Sequence, residues 1–176
     1  MTTDLALILN AAAFAADRHR DLRRKDADAS PYINHPLALA AILAGEGGVT
    51  DATVIAAALL HDTVEDTATT REELVARFGP AVAGIVAEVT DNKKLPKPER
   101  KQLQIVHAGT ASDGAKLVKL ADKIANLRDI SASPPADWDT ARKADYFDWA
   151  AKVIDRVRGV HPRLEALFDA EYAKRP

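Results

Sequence analysis

The residues best equipped for chemistry lie in "AALLHDTVEDT", residues 57–67. An apolar run suited to a buried helix stops at His61-Asp62, and Glu65 and Asp66 follow. Burying an unpaired charge is costly and adjacent carboxylates repel, so four such groups at one helix end call for a partner. A divalent cation is one such partner. Two other places offer ligands of the same kind. His35 lies in "YINHPLALAAIL", just before a helix that Pro36 can initiate. Asp122 interrupts "AKLVKLADKIANL", where Leu117, Leu120, Ile124 and Leu127 have helical core spacing. His35, His61, Asp62 and Asp122 together supply two imidazoles and two carboxylates. Such a mixed N and O set suits manganese, iron or zinc better than calcium.

Each of these residues also has an ordinary use. A histidine at a helix end can be a satisfied core or capping group, and Asp122 can pair with Lys119 or Lys123. Glu65 lies four residues after His61 and three after Asp62, which on a continuous helix places it on the same side. Asp66 lies four after Asp62. Together Glu65 and Asp66 also read as a solvated acidic turn, although acidic groups at a helix C-terminus oppose its dipole. Asn126, one turn beyond Asp122, shares its face and can either hydrogen-bond a substrate or face solvent.

These side chains need elements to hold them, and the sequence supplies helices. Alternating β-branched runs are missing and alanine is abundant. The pattern predicts helices near 4–19, 36–45, 51–64, 70–78, 80–90, 98–107, 113–130, 140–158 and 162–173. Thr50 is a candidate cap for the third, Thr70 with Glu73 has capping-box spacing, and Pro80 and Pro162 suit first-turn positions. Residues 20–34, "RDLRRKDADASPYIN", lack helical periodicity and hold most of the main positive patch, Arg18, Arg20, Arg23, Arg24 and Lys25 within eight residues. A connection of that length is often functional. With no repeat or linker, residues 1–176 read as a single all-α domain.

Bulk properties exclude several classes. A formal net charge of -2 gives no global field for nucleic acid or an anionic membrane. The absence of cysteine removes disulfides, thiol nucleophiles and Cys-ligated zinc. The N-terminal stretch reads as an amphipathic helix rather than a signal peptide, and a cytoplasmic setting is expected. His19, His107 and His161 read as structural or surface residues, and Trp138 and Trp149 as core or interface groups. The sequence does not fix an oligomeric state.

Read together, "RRKD", "SPYINHP", "AALLHDTVEDT", "EVTDNKKLPKPERK" and "GAKLVKLADKIANLRDI" resemble the hydrolase domain of RelA/SpoT proteins, within the HD-domain metal-dependent phosphohydrolase superfamily. The resemblance covers nearly the whole chain and is to the stand-alone small alarmone hydrolases of the metazoan SpoT-homologue type. It implies a compact multi-helix HD fold with one manganese-type ion on His35, His61, Asp62 and Asp122. It implies removal of the 3′-pyrophosphate from ppGpp and pppGpp, the alarmones of the stringent response, leaving GDP or GTP. The family's catalytic pair falls on Glu65 and Asp66, and its substrate contacts on Arg24, Lys25, Asn126, Lys97 and Tyr146. The chain has "DADAS" where the long bifunctional members have a shorter Gly-containing loop, and it lacks room for their synthetase. Degradation alone is therefore expected. A phosphatase for the NADPH 2′-phosphate, or a non-catalytic nucleotide-binding module, are the alternatives.

Overall fold

The computed structural model describes residues 3–176, and these contain nine helices and no strand. The first helix, α1 (Asp4–Arg18), is capped by the Thr3 hydroxyl, which accepts from the Ala6 N–H, and turns Ala11, Phe14 and Ala15 inward. After the polar loop come α2 (Asn34–Ala41), α3 (Ala52–Leu60), α4 (Thr63–Asp66), α5 (Arg71–Val89), α6 (Lys97–Ala108), α7 (Asp113–Ala132), α8 (Thr140–Asp155) and α9 (Pro162–Tyr172). The expected all-α fold is present.

The centre is α3. Eight of its nine residues are buried, as a helix apolar on every side requires, and α1, α2, α5 and α7 pack around it. Its alanines let those neighbours approach closely. Phe147 and Phe168 bring α8 and α9 onto the same core. Arg128 on α7 adds a polar tie: its Nη1 and Nη2 donate to Glu46 at 2.6 and 3.0 Å, and its Nε donates to Glu171 on α9 at 3.0 Å.

Several predicted boundaries move. The 51–64 helix stops after Leu60, because side chains take its last carbonyls. His61 Nδ1 donates to Ala58 O at 2.8 Å and Thr63 Oγ1 donates to Leu60 O at 2.7 Å. Asp62 sits near the bridge region (φ -97°, ψ -3°), and α4 starts afresh. The cap of α3 is Asp51 rather than Thr50, its carboxylate accepting from the Thr53 N–H at 2.8 Å. The helix expected at 36–45 begins at Asn34 and loosens into a π-helical turn, Ile42–Gly47, closed by Gly48 at φ 69°. The expected break between 78 and 80 is real. Gly79 (φ 87°, ψ 164°) divides α5, and Pro80 starts its second half. Thr70 caps α5 through the Glu73 N–H, but Glu73 completes no box, since its carboxylate takes Arg18 at 2.6 Å.

Candidate active site

Each proposed metal ligand comes from a different part of the helical frame. His35 lies in the first turn of α2, His61 and Asp62 form the corner between α3 and α4, and Asp122 is near the middle of α7. The fold brings the four together. His35 Nε2 lies 3.1 Å and His61 Nε2 4.0 Å from Asp122 Oδ1, while His61 Nε2 lies 3.0 Å from Asp62 Oδ2. Ligand atoms of His35, His61 and Asp62 fall within 4.8 Å of one another.

The supporting contacts aim these atoms. The bond from His61 Nδ1 to the Ala58 carbonyl fixes the tautomer, leaving Nε2 to face the acids. Tyr32 donates its hydroxyl to Asp62 Oδ2 and is itself stacked on His19, with ring centroids 4.9 Å apart. Asn126 Nδ2 donates to Asp122 Oδ1 and Lys123 Nζ to Asp122 Oδ2, both at 2.8 Å. The Lys123 ammonium also lies over the Trp149 ring, 4.4 Å from its centroid.

The electrostatics fit a divalent cation. Burial would raise both acids, but Lys123 and His35 around Asp122, and His61 beside Asp62, hold these carboxyls below the usual range. Burial opposes a proton on His61, yet Asp62 and Asp122 overcome it and raise the imidazole to about 9. A pocket that draws a proton in this way is one where a cation can take its place. His35 turns Nε2 to Asp122, and its Nδ1 is buried without a hydrogen-bond partner.

Beside the cluster, α4 presents the carboxylate pair. Because the helix breaks at His61-Asp62, Glu65 and Asp66 are placed by a separate short helix and not by the i, i+4 spacing of a continuous one. Glu65 Oε2 accepts the Asp91 backbone N–H at 3.0 Å. Burial pushes its carboxyl up to about 7; the neighbouring carboxylates of Asp62, Asp91 and Asp66 add to the shift, against that N–H. Asp66 forms an ion pair with Lys93.

Two cavities take different members of the cluster into their walls. The larger, about 560 Å³, includes His35, Tyr32, Asp66 and Asn126 in its wall, and nucleotide-sized ligands fit such volumes. Arg24, Lys25 and Tyr146 also line it, as expected of substrate contacts. Arg24 is tied to Asp129 at 2.6 Å and lies 5.7 Å from the Tyr32 ring centroid. Lys97 is exposed at the start of α6 and lines neither cavity. The lysine of that segment that does line the larger one is Lys93, which sequence reasoning missed. Trp138, expected in the core or an interface, lines it too, 5.8 Å from the Tyr146 ring. Tyr32 was also missed, although it is the tyrosine of "PYINHP". The smaller cavity, about 110 Å³, is lined by His61, Asp62, Glu65 and Asp122 together with Lys119 and Lys123.

This HD corner, with a distant histidine and aspartate converging on it, defines a class. A family model described as "HD domain" matches residues 11–146, and the chain belongs to that family. The chain is 56% identical over 169 residues to the Xenopus tropicalis guanosine-3′,5′-bis(diphosphate) 3′-pyrophosphohydrolase MESH1, covering 96% of this chain and 94% of that protein. The Homo sapiens protein of that name is 53% identical, with 94% and 92% covered. A solved structure described as a metazoan ortholog of SpoT that hydrolyzes ppGpp and plays a role in starvation responses superposes with a TM-score of 0.93. Its identity is 46%, over 97% of this chain and 96% of that one.

Proposed function

We propose that this protein hydrolyses ppGpp and pppGpp to GDP or GTP and pyrophosphate, with residues 1–176 acting as one hydrolase unit. The observation that carries the reading is the convergence of His35, His61, Asp62 and Asp122 beside Glu65, at the wall of a nucleotide-sized cavity. The MESH1 relatives, similar over nearly their whole length, support the choice of substrate. A nucleotide substrate of this kind puts the enzyme in the cytoplasm.

The four ligands would hold one divalent ion, and their mixed donor set favours manganese. When bound, the ion supplies Lewis acidity toward water and toward a phosphoryl oxygen. Glu65 takes the proton of the attacking water, since a carboxyl near neutrality both accepts and returns a proton efficiently. Its Asp91 N–H contact occupies only Oε2. Asp66 holds Lys93 at the edge of the large cavity, where the ammonium meets phosphate charge. Arg24, positioned by Asp129, and Trp138 with Tyr146 offer flat surfaces to a base. Lys25 meets phosphate as a point charge. Asn126 does two jobs, orienting Asp122 and facing the substrate. Lys97 reaches substrate only by extending from the surface.

The test is a two-substrate assay of the manganese-loaded protein. Pyrophosphate release from ppGpp is expected, at higher kcat/KM than phosphate release from NADPH. A clear preference for NADPH would replace the alarmone reading with a 2′-phosphatase, and intact nucleotide in both arms would leave a binding module.

A further inference from the structure

The 110 Å³ cavity contains a group that the mechanism above does not use. Lys119 is 7% exposed, one turn before Asp122 on α7, and lines this cavity together with Glu65. Its neighbour Lys123 is committed to Asp122 and stacked on Trp149. Lys119 makes no ion pair or side-chain hydrogen bond with any described residue, although four carboxylates share the cavity wall. Asp62 and Asp122 are turned to the metal cluster, Glu65 is held by the Asp91 N–H, and Asp91 takes Gln104 at 2.6 Å. The Lys119 side chain is mostly covered, its ammonium opens only to this cavity's solvent with no committed partner, and an anion entering the cavity would complete it.

We propose that this cavity is the seat of the terminal phosphate of the 3′-diphosphate, with Lys119 as its charged donor. The inference rests on the alarmone reading and specifies it further. His61, Asp62 and Asp122 line this cavity, while His35 and Asn126 line the larger one, so the metal cluster is the partition between them. A diphosphate cleaved at the partition has its nucleoside on one side and its outer phosphate on the other. The volumes agree with that division. At about 30 Å³ per liquid water, the smaller cavity has room for a phosphate-sized group and excludes a nucleoside. Lys119 therefore selects a 3′-diphosphate over a 3′-monophosphate, and holds the pyrophosphate product until it leaves.

The two products act as separate probes. Pyrophosphate and GDP are used as inhibitors of the manganese-loaded enzyme at fixed free manganese, with bound metal and melting temperature measured alongside. Lys119→Met keeps the apolar stem and deletes the charge, and Lys119→Gln replaces it if the Met variant does not fold. Inhibition by pyrophosphate should weaken about tenfold or more, the worth of one charge-assisted hydrogen bond, with GDP inhibition unchanged. The preference for a 3′-diphosphate over the matching 3′-monophosphate, as a ratio of kcat/KM, should shrink by a similar factor. Unchanged pyrophosphate inhibition overturns the proposal, as does equal weakening of both inhibitors with loss of metal. Calorimetric binding of pyrophosphate to the loaded protein needs no turnover. A wild-type chain that binds pyrophosphate through Lys119 but spares ppGpp would refute the alarmone reading alone.

Discussion

Glu65 takes one backbone hydrogen bond, from Asp91, and stands among three other carboxylates. That setting, more than its sequence position, suits it to proton transfer. Glu65→Gln keeps the shape and removes the base, so kcat should fall by about 10²–10⁴-fold while bound metal stays constant. Near-normal turnover in that variant would sink the assigned role. The same carboxyl gives the metal-free protein a pH signature. In the unfolded chain it loses its proton near 4.5, and in the folded chain only at about 7. Between those values the folded state holds the extra proton, so stability falls as pH rises through the window. Thermal melts of metal-free protein should show this slope, and Glu65→Gln should flatten it. A bound cation draws the carboxyl down, so the acid limb of kcat/KM should lie at or below about pH 7.

At the scale of the element, α5 depends on one unusual residue. Gly79 adopts φ 87° and ψ 164° between two helical halves, and a Cβ added there would meet nothing within 4 Å. The constraint is therefore conformational and not steric crowding. Gly79→Ala should cost about 1–3 kcal/mol in urea unfolding. Gly84→Ala, in the helical second half and also with open space, should be neutral or gain up to about 1 kcal/mol. Equal effects at the two sites would remove the strain argument. The break was legible beforehand because Gly-Pro is a strong local signal. The end of α3 was not. Nothing local announces that His61 and Thr63 will take the last carbonyls, and "LLHDTVED" continues a helix as well as it ends one.

Across the whole molecule, the proposed metal ligands join α2, the α3–α4 corner and α7, elements far apart in sequence. An ion bound there ties the folded chain together and has no preformed site in the unfolded one. At a free concentration about 100 times its dissociation constant, an ion should stabilise the fold by about 2.7 kcal/mol. EDTA should lower the melting temperature and abolish turnover, and added manganese should restore both. A melt indifferent to both additions would contradict a metal at this cluster. Asp122→Asn should weaken that response, because Lys123 and Asn126 then hold a neutral amide in place of the carboxylate.

The sequence by itself determined the helical class and the loop at 20–34, and it offered two imidazoles and two carboxylates as candidate ligands, because composition, periodicity and residue type are local properties. Family resemblance also named Arg24, Lys25, Asn126 and Tyr146 as substrate contacts, and all four line one cavity. Tertiary structure decided which neighbours those groups meet. It put Lys93 rather than Lys97 in the cavity wall and gave Trp138, packed against the core as expected, a face on the same cavity. It laid Tyr32 on Asp62, and left Lys119 buried without a counter-ion beside Glu65. These are contacts between elements up to about a hundred residues apart, fixed by how α3 is enclosed and how α4 and α7 lie against it. No spacing along the chain encodes them.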